Sequence, residues 1–150
     1  MEKRGYRKAV FVVVYQQNPK TKRIEYLILK RRKHWKGWEF VKGGIDAGES
    51  IKSAVRREVY EESGNRPVKI SRYPFSGTYR YKNVFPDRPG FIGQSYTLWS
   101  AEVPFGKKIR YDSKEHSGFA WLPFERAVRL LTYRNQKKCL GIVNKNLVKQ

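Results

Sequence analysis

The chain has 150 residues, 39 % of them hydrophobic and 15 % aromatic, enough apolar material for one packed domain over residues 1–150. Its one cysteine, Cys139, excludes an intrachain disulfide and a multi-cysteine zinc site, and it fits a reducing, cytoplasmic setting. Lys and Arg number 33 against 13 Asp and Glu, a net charge of +20, which draws polyanions such as RNA or polyphosphates.

The first long apolar segment, residues 9–15 (AVFVVVY), centres a buried strand over 7–16. It is far short of the roughly 20 residues a membrane span needs. No small-residue cleavage site follows the basic N-terminus, so no secretory signal and no membrane partner are expected. A turn at Asn18-Pro19-Lys20-Thr21 leads into a second strand over 24–32, making a hairpin. A basic loop over 33–36 closes on Gly37, and a short strand over 38–41 is ended by Gly43-Gly44. Residues 50–63 lack Gly and Pro and predict a helix, stopped by Gly64 and Pro67. Residues 68–74 and 77–82 read as two strands, 83–93 as a long loop, 94–103 as a strand, 107–117 as a polar loop and 119–122 as a short strand. Pro123 opens a helix at its first position, running to about residue 133. Residues 135–148 give a last helix with a basic face. Strands mixed with separated helices fit one α/β/α or α+β domain around a mixed sheet.

The acids are unevenly placed. Asp46, Glu49, Glu58, Glu61 and Glu62 are five of the 13, and they lie within 17 residues. On a helix stepping about 100° per residue, Glu58, Glu61 and Glu62 fall in an arc of about 100° that Ile51 and Ala54 share. An ordinary amphipathic helix keeps its carboxylates on the solvent face. Inward carboxylates repel and lose solvation unless a positive charge sits among them. An all-oxygen set suits Mg²⁺ or Mn²⁺. Pairing with Lys and Arg from elsewhere in this basic chain is the other way to balance them. The preceding loop, Lys42-Gly43-Gly44-Ile45-Asp46-Ala47-Gly48-Glu49, has the glycines for a sharp turn or a close approach.

Gly43, then five residues, Glu49, then seven residues, then Arg57-Glu58-Val59-Tyr60-Glu61-Glu62-Ser63-Gly64 resembles the Nudix box, with Asn65 where that family usually has an aliphatic residue. The resemblance implies an α/β fold, a Nudix-type α/β/α sandwich around a mixed sheet. It also implies Mg²⁺- or Mn²⁺-dependent hydrolysis of a phosphoanhydride in a nucleoside polyphosphate. By the same resemblance Glu58, Glu61 and Glu62 are metal ligands, with the Gly43 carbonyl a further one. Glu49 is an outer-sphere member, and Arg57 orients the glutamates.

Trp38-Glu39-Phe40-Val41-Lys42-Gly43-Gly44 is similar to the W-x-F-P-[KQ]-G-[GH] segment of diadenosine tetraphosphate hydrolases and RNA pyrophosphohydrolases, with Val41 in place of Pro. Gly93-Gln94 and residues 115–122 (EHSGFAWL) resemble their later strands, which makes Glu115 a fourth ligand or the general base. His116 reads as a surface neighbour of Glu115 rather than a base. Lys33, His34, Lys36 and Lys42 are placed to reach phosphates, and Arg88 in the long loop is a further candidate. Tyr79 and Tyr81 are base-stacking candidates, or else sheet surface. Trp38, Trp99 and Trp121 read as core. The expected substrate is a dinucleoside tetraphosphate. The alternatives are an RNA 5′ end, RNA binding on a Nudix fold, and a diphosphoinositol polyphosphate.

Overall fold

A computed structural model describes residues 5–82 and 90–149 of the chain. The elements run β1 (Gly5–Gln17), β2 (Ile24–Arg31), β3 (Gly37–Glu39), β4 (Val41–Gly44), α1 (Ile51–Ser63), β5 (Lys69–Arg80), β6 (Phe91–Glu102), β7 (His116–Leu122), α2 (Phe124–Leu130) and α3 (Arg134–Val148).

The apolar run of β1 makes it the central strand. Its alternating side chains feed two cores, as the period of two requires. Phe11, Val13 and Tyr15 pack with Leu131, Leu140 and Val143 of the α2–α3 side. Val10, Val12 and Val14 pack with Val55 and Val59 of α1. Helices therefore cover both faces of a seven-stranded mixed sheet of order β3-β2-β1-β6-β5, with β4 added on β1 and β7 on β2. The architecture is α/β/α, and β1 and β6 are the parallel pair. No helix of the described residues is long and apolar enough to cross a membrane.

The hairpin of β1 and β2 holds only from Tyr15 to Gln17. Beyond it the two strands part. The short strand expected over 38–41 is two strands divided at Phe40, with β3 on β2 and β4 on β1. The Phe40 N–H donates to Gln136 Oε1 at 3.1 Å, and its ring meets Phe11 edge-on with centroids 5.4 Å apart. Satisfied from α3, that N–H leaves the ladder, and the sheet splits there.

The two strands expected over 68–82 are instead one, β5, with a register shift between Arg72 and Ser76, across Pro74. Proline has no N–H for the ladder, so the strand bulges without ending. Pro123 is the N-cap of α2, one position before the expected one, and α2 stops at Leu130. The Thr132 N–H donates to the Trp38 carbonyl at 3.1 Å and draws the chain out of the helix. Helix α1 starts on Ser50, whose hydroxyl accepts from the Ser53 N–H at 3.1 Å. It ends on Gly64 at φ 73°, a left-handed cap that glycine adopts without penalty.

Candidate active site

The loop from β4 into α1 is built around Arg57. Its Nε and Nη2 donate to the two oxygens of Glu49 at 2.7 and 2.9 Å, a fork-to-fork pair. Nη2 also donates to the Gly44 carbonyl at 2.8 Å. Nη1 donates to Glu58 at 2.7 Å and to Glu61 at 2.8 Å. One guanidinium thus fastens the glycine loop to three carboxylates. Hydrogen bonds from Arg57 and from the Asp46 N–H hold the Glu49 carboxyl down at about 2. A side chain on Gly43 would collide with the Glu58 carboxylate, and one on Gly44 with the Arg7 guanidinium. Glycine at both positions lets β4 pass against charged groups.

The glutamates of α1 do not all face inward. Glu58 and Glu62 are buried, whereas the Glu61 side chain is 44 % exposed. Glu61 lies at the edge of the arc, on the solvent side of Arg57. Burial pushes the Glu58 carboxyl up to about 8, although Arg57 opposes this. Burial likewise raises Glu62 to about 7, with His116 opposing and Glu115 adding to the rise. Burial outweighs the neighbouring cation in both cases, Arg57 for Glu58 and His116 for Glu62. Carboxylate oxygens of Glu62, Asp112 and Glu115 all lie within 4.8 Å of one another. These donors are all oxygen, so the residues fit a hard divalent ion.

Asp112 escapes the sequence reading. Its carbonyl accepts the His116 N–H at 2.9 Å, and its side chain accepts the Lys114 N–H at 2.9 Å. The resulting turn presents Glu115. Asn65 helps to tie this loop down, because its amide donates to the Ser63 and Lys108 carbonyls, each at 3.0 Å. The polar residue at the helix exit is thereby accounted for.

His116 is a correction. Expected at the surface, it is 3 % exposed and lies between two carboxylates. Nε2 is 2.7 Å from Glu39 Oε2 in a hydrogen bond. Nδ1 is 2.7 Å from Glu62 Oε2, within ion-pair reach though off the line of a good hydrogen bond. Burial disfavours the imidazolium, but Glu39 and Glu62 outweigh it and raise His116 to about 9. Glu39 is itself 1 % exposed and meets Arg31 at 3.1 Å and Lys42 at 3.3 Å. Against the penalty of burial, Lys42, His116 and Arg31 hold Glu39 at about 2.

Two cavities meet at Arg31 and Lys42. The first, about 190 Å³, is lined by Arg7, Lys33, Gly43, Glu58, Gln94 and Glu115 besides those two cations. The second, about 360 Å³, has aromatic walls: Trp35, Tyr79, Tyr81 and Tyr133, with His34, Arg80, Lys82 and Arg134 among its polar lining. The expected phosphate and stacking residues divide accordingly. Lys33 lines the acid cavity, Tyr79, Tyr81 and His34 the aromatic one, and Lys42 both. Lys36 lines neither, and Arg88 lies outside the described residues. Tyr79 is held in place, since its hydroxyl donates to Gln94 at 2.6 Å and accepts from Lys42 at 3.4 Å. Trp35 and Tyr133, with ring centroids 4.8 Å apart, are additions to the site, as are Arg7 and Arg31. The one signal for Trp35 was an aromatic residue within a run of cations, RRKHWK.

Residues 5–140 match the NUDIX domain family. An RNA pyrophosphohydrolase from a Nitratiruptor species is 30 % identical over 137 residues, covering 89 % of this chain and 88 % of that protein. A C. elegans Ap4A hydrolase, in a binary complex, superposes with a TM-score of 0.76 at 23 % identity, over 96 % of this chain and 99 % of that one. An E. coli dihydroneopterin triphosphate pyrophosphohydrolase does so at 0.72 and 23 % identity, over 90 % and 94 %. The two structural likenesses are of fold, whereas the family match spans most of the sequence and includes the glycine loop and the acidic helix. This chain belongs to the Nudix family and is a pyrophosphohydrolase.

Proposed function

We propose that the protein hydrolyses the phosphoanhydride at the 5′ end of triphosphorylated RNA, with Mg²⁺ or Mn²⁺, and leaves a 5′ monophosphate. The observation that carries this reading is the meeting, at Arg31 and Lys42, of an aromatic cavity and a second cavity that sets Glu58 and Glu115 among cations, Arg7 and Lys33 besides those two. A terminal base fits the first and its phosphates run past the two cations into the second. Arg80, Lys82 and Arg134 on the aromatic cavity offer contacts to the phosphates of the following nucleotides. The name of the Nitratiruptor relative supports the same substrate.

By the resemblance to the Nudix box Glu58, Glu61, Glu62 and the Gly43 carbonyl would hold the metal, and Asp112 and Glu115, whose carboxylate oxygens lie within 4.8 Å of that of Glu62, would stand beside it. When bound, such an ion lowers the pKa of the attacking water and neutralises phosphate charge. Arg57 fixes the carboxylates that face it. Arg7, Arg31, Lys33 and Lys42 bind phosphate oxygens. Glu115, 30 % exposed at the cavity wall, accepts the proton as the water oxygen bonds to phosphorus and the bridging oxygen leaves. Trp35, Tyr81 and Tyr133 hold the base. A buried single thiol suits work in the cytoplasm.

A dinucleoside tetraphosphate is the second reading, favoured by the W-E-F-V-K-G-G segment and ranked first on sequence alone. The test is hydrolysis of a short triphosphorylated RNA against diadenosine tetraphosphate at physiological salt. Faster cleavage of the RNA, falling steeply as salt rises, is expected. Efficient, salt-insensitive cleavage of the dinucleotide alone would replace the RNA reading with the second one.

A further inference from the structure

A row of buried charged groups joins Glu62 to two residues that the hydrolytic chemistry does not use directly, His116 and Glu39. Glu39 and His116 come from β3 and β7, two strands that both pair with β2. Glu62 comes from α1, on another layer. The three form a line: Glu39 Oε2, 2.7 Å to His116 Nε2, and His116 Nδ1, 2.7 Å to Glu62 Oε2. All three are at least nine-tenths buried. Water therefore does not compete for these contacts. The far end of the line branches. Glu39 Oε2 accepts from Arg31 at 3.1 Å, and Glu39 Oε1 is 3.3 Å from Lys42 Nζ. Those are the two cations that line both cavities.

From this geometry we infer that His116 is a positioning residue, which Glu39 holds against Glu62 so that the Glu62 carboxylate keeps one orientation toward the metal and is tied to the phosphate-binding cations Arg31 and Lys42. Burying several charged groups in one chain is destabilising unless opposite charges stand against one another, as Arg31, Lys42 and His116 do here against Glu39 and Glu62. A carboxylate anchored through one oxygen has its other oxygen aimed. Groups that orient a metal ligand in this way change metal affinity when they are removed, by roughly 10–100-fold. The inference rests on the reading of Glu62 as a metal ligand.

The test is Mn²⁺ binding to the full chain without substrate, followed by the electron paramagnetic resonance of free Mn²⁺. His116→Phe keeps the ring and removes both nitrogens. His116→Asn places an amide donor where Nδ1 was and keeps the contact with Glu62. His116→Gln places one where Nε2 was and keeps only the contact with Glu39. The Mn²⁺ dissociation constant should rise about tenfold or more in the Phe and Gln variants and by less, about threefold, in the Asn variant, which keeps the contact with Glu62 and loses the hold of Glu39. Where the Phe variant does not fold, the Asn and Gln pair decides alone. Wild-type affinity in the Gln variant, or an Asn variant no better than it, overturns the inference. Glu62→Gln separates the two claims. Weak binding there beside wild-type binding in the His116 variants sinks the positioning role only, and wild-type binding in Glu62→Gln sinks the metal reading along with it.

Discussion

The acid cavity and the aromatic cavity share two side chains, Arg31 and Lys42, yet they are built in opposite ways. The acid side is organised around one contiguous stretch, β4 through α1, which is clamped by Arg57 and supplies Lys42, Gly43, Gly44 and Glu58, with Arg7, Arg31, Lys33, Gln94 and Glu115 brought to it from other segments. The aromatic side draws Phe11 from β1, Trp35 from the loop after β2, Tyr79 from β5, and Tyr133 and Gln136 from around the start of α3. Chemistry that needs fixed distances between charges sits on a rigid local unit. Recognition of a flat ring needs only walls, and distant segments supply them. Substitutions on the two sides should therefore move different constants.

The largest effect is expected on the acid side. Glu62→Gln keeps the volume of a buried ligand and removes its charge, so kcat should fall by about a hundredfold. Glu61→Gln, at the exposed rim, should lower kcat less, by about tenfold. Equal losses would remove the distinction between buried and rim carboxylates. On the aromatic side, Trp35→Ala should raise KM about tenfold, within the range of base-stacking energies, and leave kcat near wild type. An unchanged KM would make Trp35 a packing residue.

Smaller effects separate charges that bind from charges that build. Both Arg134 and Lys137 belong to the basic face expected of the last helix. Only Arg134 lines the aromatic cavity, whereas Lys137 Nζ donates to the Val128 carbonyl at 2.7 Å and caps the end of α2. Lys137→Met should lower stability by about 1 kcal/mol and leave RNA affinity unchanged, whereas Arg134→Gln should do the reverse. Thermal melts paired with RNA binding would expose a swap of these roles.

The smallest effect is one of pH. Glu39 and Glu49 are held at about 2, below the ordinary 4.5. A carboxylate lowered on folding stabilises fully above its unfolded pKa, and that stabilisation is lost as pH falls through the folded value. The melting temperature should therefore fall between about pH 4.5 and 2, and Glu49→Gln should flatten the fall. A flat profile in the wild-type protein would contradict the two depressed carboxyls.

What could be read from sequence follows the same division. Helical phase along one stretch pointed to the inward Glu58 and Glu62, and the resemblance to the Nudix box implied Gly43, Glu49 and Arg57. Ser50 and Gly64 marked the ends of that helix. Glu61 was misplaced because phase gives an angle and not a depth. Trp35 and Tyr133 were missed because their contact joins two loops that are remote in sequence. His116 looked like a surface residue because its neighbours in the chain are polar. Its burial comes from Glu39 and Glu62, which only the tertiary fold brings to it. The division of the short strand at Phe40 depended on Gln136, nearly a hundred residues away, and no local pattern announces such a bond.

The most direct test of this division of labour is a double-mutant cycle in kcat/KM on triphosphorylated RNA, with Glu62→Gln, Trp35→Ala and both together. Independent regions predict that the two losses multiply, with the double variant losing kcat as the first does and gaining KM as the second does. A double variant no worse than Glu62→Gln alone would mean that the two cavities do not act as separate parts of one site.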